Sequence, residues 1–165
     1  MPALFPPLRA TPATRSHPSP SPVAQAPTAQ KPATATLSAV ERAAYEQINQ
    51  YRRSQGLPPL QIHPAIVEQA RNHSRRMAQG QANFSHVGFE GRIQAIAKSL
   101  TYRSAAENIA FNQGYSDPAS QAVQGWLKSP GHHKNIVGNF TLTGVGVAQN
   151  SKNEYYFTQI FLKQP

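Results

Sequence analysis

The chain has 165 residues, a formal net charge of +9 and no cysteine. A chain of this length accommodates one ordinary domain and little more. The absence of cysteine excludes a disulfide scaffold, a cysteine-based zinc site, an iron–sulfur cluster and thiol catalysis. No apolar run is long enough to cross a bilayer. The positive charge favours anionic partners, but it does not choose between acidic glycans, phosphate polymers, lipid head groups and nucleic acid.

Residues 1–36 differ in composition from the rest of the chain. They hold nine of the fifteen prolines, three basic residues and no acidic one. Such a segment cannot bury enough apolar surface to offset the entropy that ordering would cost. We therefore predict a disordered, proline-rich linker over residues 1–36 and a folded domain over residues 37–165. We interpret the linker as a spacer that follows an export signal or anchor, with a cytoplasmic extension as the alternative.

Capping signals predict where the first two helices begin and end. Ser38 and Glu41 have the spacing of a capping box, so the first helix begins there and ends by Gly56. Pro64 suits the first turn of a second helix, which ends at Gly80. Both segments carry apolar residues at helical spacing, as expected for helices that pack one face against a core.

Two further helices are predicted in the middle of the chain. The third runs from about Phe89 to Leu100. The fourth begins at Asp117 and Pro118, a favourable cap and first-turn pair, and ends at Ser129.

The last third of the chain alternates apolar and polar residues, which is typical of strands. Residues 142–147 and 155–161 are two such runs, and polar turn residues at 150–153 lie between them. They predict an antiparallel hairpin at the C-terminus. Residues 105–111 form a short, mostly apolar segment before the fourth helix. Helices followed by strands favour an α+β sandwich over a doubly wound parallel sheet.

Three polar residues stand out as candidates for chemistry. His86 lies in a polar loop, Glu107 is the lone acid in an apolar segment, and His132 begins a short helical turn. Two imidazoles and a carboxylate can form a catalytic zinc site with an open fourth position. They can equally serve as acid and base around a bound water. Either function requires the fold to bring the three together, because no short metal-binding motif is present.

Other polar residues have simpler interpretations. His73 lies on the apolar face of the second helix and is predicted to be a buried core histidine, whereas His63 precedes Pro64 and caps the helix. Arg71 and Arg75 are four residues apart, which predicts that they project together towards solvent. A set of arginines is either a basic patch or an ordinary solvated surface: Arg52, Arg53, Arg71, Arg75 and Arg76.

The motifs in the domain, taken in order, resemble those of one known family. This is the CAP superfamily, which contains cysteine-rich secretory proteins, antigen 5 and plant pathogenesis-related proteins, and the similarity is greatest to its bacterial SCP-domain branch. It extends over about residues 38–163. The motifs that carry it are Ser85-His86, Ala106-Glu107-Asn108-Ile109, Trp126 with Ser129-Pro130-Gly131-His132, Gly144-Val-Gly-Val147 and Tyr156-Phe-Thr-Gln159-Ile-Phe161.

The resemblance implies a three-layer α–β–α sandwich with a central cleft. It implies that His86, Glu107 and His132 meet in this cleft, with Gln159 as a polar strand residue beside them, and that the two histidines bind a divalent metal such as zinc. Glu107 is then the candidate catalytic residue. Eukaryotic members carry a second acid where this chain has Ser129, so the acidic set is incomplete, and Glu90 is the nearest candidate to replace it.

Three functions compete at this point. The first is an exported or cell-envelope domain, with no transmembrane segment, that binds a small molecule, lipid or peptide in its cleft. The second is a metal-assisted, peptidase-like hydrolase in which Glu107 acts as ligand or base. The third is a basic adhesion module for acidic polymers of the envelope, since no nucleic-acid recognition motif accompanies the arginines.

Overall fold

The computed structural model describes residues 35–165, so nearly all of the predicted linker lies outside the described residues. The described part contains five helices and four strands. The helices are α1 (Ala39–Ser54), α2 (Pro64–Ala78), α3 (Phe89–Ala97), α4 (Pro118–Lys128) and α5 (Pro130–Ile136). The strands are β1 (Gln61–Ile62), β2 (Ser104–Gln113), β3 (Leu142–Gln149) and β4 (Glu154–Lys163).

The four strands form one sheet in the order β1-β3-β4-β2. β3 and β4 form the predicted antiparallel hairpin, and β2 pairs antiparallel with β4 along its whole length. β1 adds a two-residue parallel pairing to β3. β2 is therefore an edge strand. This mixed α+β architecture confirms the predicted fold class.

Two hydrophobic clusters lie on opposite faces of the sheet. Successive residues of a strand point to opposite faces, and β4 accordingly gives Phe157 and Phe161 to one cluster and Ile160 and Leu162 to the other. The first cluster contains residues of α1, α4 and α5, and the second contains residues of α2 and α3. The sheet is thus the middle layer of the predicted α–β–α sandwich.

Two glycines allow α2 to pack unusually close to β3. A Cβ atom added at Gly144 or Gly146 would collide with backbone atoms of α2 at Val67 and Arg71 respectively. Because backbone atoms cannot move aside as a side chain can, any larger residue here would push the helix from the sheet. The glycines of this motif therefore have a packing role.

The predicted helix starts are confirmed in atomic detail. Ser38 accepts a hydrogen bond from the Glu41 amide while the Glu41 side chain accepts one from the Ser38 amide, which is a complete capping box. His63 caps α2 by accepting from the Ala65 amide, and Asp117 caps α4. α3 ends at Ala97, three residues earlier than predicted.

Residues 105–111 were predicted only as a short apolar segment, and they are the centre of the ten-residue strand β2. Nor did the sequence predict β1, which is too short to show a period. Both strands form by pairing with segments far away in the chain: β2 pairs with β4, and β1 pairs with β3.

The prediction that Arg71 and Arg75 project together into solvent is wrong for Arg71. Its Nε and Nη2 donate to the two carboxylate oxygens of Glu41, at 2.9 and 2.6 Å. Glu41 is buried, with 2% of its surface exposed, and it also accepts from the Val147 amide. This ion pair therefore joins α1, α2 and β3, and only Arg75 remains exposed as predicted.

We expect Glu41→Gln to destabilise the domain by about 2 kcal/mol at pH 7, because Arg71 loses its charge partner. Burial alone would raise the pKa of Glu41, but hydrogen bonds from Arg71, Ser38 and Val147 outweigh it and hold this pKa below its ordinary value of 4.5. The ionised carboxylate therefore stabilises the fold above about pH 4.5, and this contribution disappears as the pH falls through the lowered pKa.

Urea unfolding of wild type and Glu41→Gln at several pH values measures this contribution. The difference in free energy of unfolding should shrink below about pH 4.5. Glu68→Gln, at an exposed position on α2, is the matched control and should change little. A difference between wild type and Glu41→Gln that stays constant from pH 7 to pH 3 would contradict the assignment.

Candidate functional site

Two of the three predicted site residues are in direct contact. Nδ1 of His86 lies 2.9 Å from Oε1 of Glu107. The Glu107 side chain is only 2% exposed, whereas that of His86 is 51% exposed. A carboxylate can only accept a hydrogen bond, so Nδ1 carries the proton and donates. The second ring nitrogen, Nε2, is then left for solvent or a ligand, with the ring held in place by a buried acid.

Arg92 of α3 is the counter-ion of this pair, and the sequence analysis did not identify it. Its Nε and Nη2 donate to Oε2 and Oε1 of Glu107 at 2.8 and 2.7 Å. The same guanidinium donates to the Val87 carbonyl at 3.1 Å. The signal for its burial was present in the sequence, because Arg92 is four residues before Ile96 and thus on the buried stripe of its helix.

His73 completes the polar cluster and is buried, as predicted. Its Nδ1 lies 3.3 Å from Nη1 of Arg92, and its Nε2 lies 2.8 Å from the Ser85 carbonyl. Arginine has no acceptor, so Nδ1 must be unprotonated and Nε2 donates to Ser85. Burial, followed by the charge of Arg92, lowers the pKa of His73 below its usual range. A neutral His73 therefore helps hold the loop that carries His86.

α5, the helix that carries His132, packs on the opposite face of the sheet from α3. Glu107 and Asn108 are neighbours on β2 and point to opposite faces. Nδ2 of Asn108 donates to the His132 carbonyl at 3.1 Å, and Nδ2 of Asn135 donates to Oδ1 of Asn108 at 2.8 Å. Asn108 therefore anchors α5, the helix that carries His132.

The two predicted metal-binding histidines influence each other without a direct bond. Burial lowers the pKa of His132, and the charge that His86 carries when it is protonated lowers it further. Within residues 35–165, no hydrogen bond links His132 to His86 or to Glu107. The side chain of His132 is half-buried, and its Nδ1 has no hydrogen-bond partner there.

These residues do not fit a zinc site in which Glu107 is a ligand. Both carboxylate oxygens already accept from Arg92, so a cation would have to displace a guanidinium. Among the described residues, no group of three or more His, Cys, Asp or Glu side chains could hold a metal ion. His86 and His132 alone supply fewer than the three protein ligands of known catalytic zinc sites. Zinc binding stays a prediction.

A groove of about 540 Å³ lies between the edge strand β2 and helix α4. His132 and Ser129 lie in its lining, together with the exposed aromatic residue Tyr115. The remaining lining comes from β2 residues 109–113 and from the α4 residues Gln121, Ala122, Gly125 and Trp126. His86, Glu107 and Gln159 do not line this groove, so the structure does not unite all four predicted cleft residues in one cavity.

Gln159 is an interior residue of the central strand β4. It is fully buried, and its Nε2 donates to Oγ1 of Thr143 at 3.1 Å. It faces the same side of the sheet as its strand partner Asn108. Its Oε1 has no partner among the described residues. Glu90 is exposed on α3, and Ser129 joins α4 to α5.

The predicted arginine set is not a continuous basic surface. Arg52 is 2% exposed and donates to backbone carbonyls of Pro58, Ile136 and Gly138, so it fastens the chain around α5. Arg71 is paired with Glu41. The three that remain exposed are Arg53, Arg75 and Arg76.

No helix within the described residues is both long and apolar enough to span a membrane. Beyond this, comparison with known proteins gives consistent matches. The model of the CAP family, described as the cysteine-rich secretory protein family, matches residues 45–161.

Among individual proteins, the chain is 36% identical over 134 residues to the uncharacterized protein YkwD of Bacillus subtilis, covering 79% of this chain and 49% of that protein. The chain thus spans about half the length of this relative. An extracellular protein containing an SCP domain from Bacillus anthracis has a similar structure, with TM-score 0.64 and 30% identity, over 76% of this chain and 40% of the other.

An outer surface protein from Borrelia burgdorferi shares the fold at 19% identity. Its TM-score is 0.66, and the match covers 76% of this chain and 93% of that chain. The family model spans more than half of the sequence, and the resemblance of the motifs is confirmed by the family model, by the curated relative and by the solved structure. The chain therefore belongs to the CAP, or cysteine-rich secretory protein, family.

Proposed function

We propose that this chain is an exported or cell-envelope CAP domain that binds a ligand in the groove between β2 and α4. The observation that carries the proposal is the groove itself, with its volume of about 540 Å³ and mixed polar and apolar lining. Ligand sites are typically concave, within a few hundred to about 1,000 Å³, and largely formed before binding. A small lipid, a short peptide or another small molecule with an apolar body fits these dimensions.

The chemistry of the groove supports a ligand that also carries polar groups. β2 is an edge strand, so alternate backbone groups face outward, and Trp126 satisfies one of them by donating to the Ile109 carbonyl at 2.9 Å. Oδ1 of Asn112 and Nδ1 of His132 are buried beside the groove without a partner among the described residues. Buried polar atoms usually have a partner, so this side of the domain retains hydrogen-bonding capacity.

Two of the structural relatives support the proposed location. One is named as an extracellular protein and the other as an outer surface protein, and both share this fold. An envelope location would place the exposed arginines of this basic chain near anionic polymers. Because Arg52 and Arg71 are engaged inside the domain, adhesion through the arginines is a weaker proposal than ligand binding in the groove.

A hydrolase remains the second candidate, and one observation favours it. The exposed His86 imidazole is oriented by the buried Glu107 carboxylate, an arrangement that suits a general base acting through Nε2. In this version His86 takes the proton from water or a substrate hydroxyl. Glu107 holds the ring through its hydrogen bond with Nδ1, so it is a positioning residue rather than a metal ligand.

Filling the groove tests ligand binding. Gly125 lies on α4 in the groove lining, and a Cβ atom added there meets nothing within 4 Å. Gly125→Leu should therefore occupy the groove without disturbing the fold, and leucine favours the helix by roughly 1 kcal/mol over glycine. We expect it to weaken binding of cis-parinaric acid, a fluorescent fatty acid, or of a dansyl-labelled hydrophobic tripeptide by at least about tenfold.

Gly91→Leu is the matched control for the groove experiment. Gly91 is likewise a helical, exposed glycine with open space around its Cβ, but it lies on α3, outside the groove. The Gly91→Leu variant should bind both probes with the affinity of the wild-type protein. The proposal is rejected if neither probe binds saturably, or if both leucine variants bind as wild type does.

The hydrolase candidate predicts turnover that depends on the His86–Glu107 pair. His86→Ala and Glu107→Gln should each lower the initial rate on fluorescein-labelled casein by about 100-fold, the usual contribution of a general base. Glu90→Gln, at an exposed position on α3, should leave the rate unchanged. If the wild-type protein shows no turnover, or the first two variants match it while folded by circular dichroism, this candidate is excluded.

The proposed location predicts where the protein is found in its own host. Immunoblots of culture medium, envelope and cytosolic fractions should detect it in the medium or the envelope. A cytosolic enzyme serves as the fractionation control. Recovery of the protein only with that marker would contradict the export proposal, whatever the outcome of the ligand experiment.

A further inference from the structure

The buried carboxylate of Glu107 has a permanent cation beside it. Arg92, itself only 8% exposed, makes two hydrogen bonds to the two oxygens of Glu107. Such paired, charge-assisted contacts are among the strongest side-chain interactions in proteins. They offset the cost of burying the Glu107 side chain at 2% exposure, since an unpaired buried carboxylate is costly.

The same guanidinium also holds the loop that carries His86. Its Nη1 donates to the Val87 carbonyl at 3.1 Å, and its Nη2 donates to the His86 carbonyl at 3.4 Å. Gly88, with φ +85°, brings the chain so near that an added Cβ would lie 3.2 Å from Nη1 of Arg92. One side chain therefore fixes the acid, the loop and, through both, the orientation of the His86 ring.

We propose that Arg92 is the built-in cation of this site, and that it orders the His86–Glu107 pair without any divalent metal. In a metal-dependent arrangement, an ion between the side chains would neutralise Glu107 and orient the histidine. Here the arginine occupies both carboxylate oxygens and performs both tasks. Arg92 is thus a positioning residue, which acts on Nε2 of His86 through Glu107. The inference does not depend on the groove or its ligand.

The wild-type protein provides the first test. Nitrogen-15 NMR of its histidines reports which ring nitrogen of His86 carries the proton. In protein dialysed against a chelator, we expect the proton on Nδ1, where Glu107 accepts it, and we expect added zinc to leave this state unchanged. If the Nδ1–H form of His86 appears only after zinc is added, the proposal is overturned.

Three variants separate the charge of Arg92 from its packing. Arg92→Met keeps most of the volume and removes the hydrogen bonds that hold Glu107 and the His86 loop in place. The ratio of Nδ1–H to Nε2–H forms of His86 should fall by at least about tenfold, as expected when the hydrogen bond between His86 and Glu107 is lost. Arg92→Lys keeps the charge and should preserve most of the ratio. Arg76→Met removes the same charge from an exposed position near this loop and should preserve all of it.

Zinc calorimetry on the same variants adds an independent readout. Removing the guanidinium frees Glu107, so Arg92→Met should bind zinc at least about tenfold more tightly than wild type, and Arg76→Met should not. The proposal fails if Arg92→Met folds and keeps the wild-type ratio of ring forms, if the lysine variant behaves like the methionine variant, or if zinc affinity does not rise. If Arg92→Met does not fold, the wild-type measurement alone decides.

Discussion

A carboxylate buried in a protein is costly unless it is paired, and two buried carboxylates of this domain each have an arginine at hydrogen-bond distance. Glu41 is paired with Arg71, and Glu107 is paired with Arg92, in both cases through two donor atoms. Each pair also joins segments that are distant in the chain. The first ties α1 to α2 and β3, and the second ties α3 to the edge strand β2. The packing of the domain and the geometry of the site therefore depend on the same kind of contact, a buried carboxylate paired with an arginine.

At the edge of the sheet, polar side chains of α4 and α5 donate hydrogen bonds to residues of β2. Trp126 donates to the Ile109 carbonyl, and Asn135 donates to Asn108 on the same strand. On the far side of α5, Arg52 donates to the carbonyl of Ile136. These contacts add to the apolar packing of Ala106 and Ala110 of β2 against the cluster that contains residues of α4 and α5. The groove lined by β2 and α4 lies at the same edge.

Local sequence signals predicted where α1, α2 and α4 begin, because a helix cap is formed within a few residues. Ser38 and Asp117 are such caps, and the alternation of the hairpin is equally local. The partners of Arg71 and Arg92 were not predictable in this way, since each ion pair joins segments 15 or more residues apart. The same holds for the length of β2, whose ten residues are ordered by pairing with β4. The proximity of His86 and Glu107 was expected only from the resemblance to a family, because no rule on residue spacing predicts it.

The alternation of side chains along β2 divides the candidate site into two parts. Glu107 points to the face that holds His86, and Asn108 points to the face where α5 presents His132 to the groove. Sites that share no partner usually have additive effects, so a change that fills the groove and a change that frees the His86 ring should act independently on a ligand confined to one face. A ligand that crosses the edge of β2 would contact both imidazoles, and the two changes would then be coupled. The size of that coupling measures whether the family's two histidines work here as one site or as two.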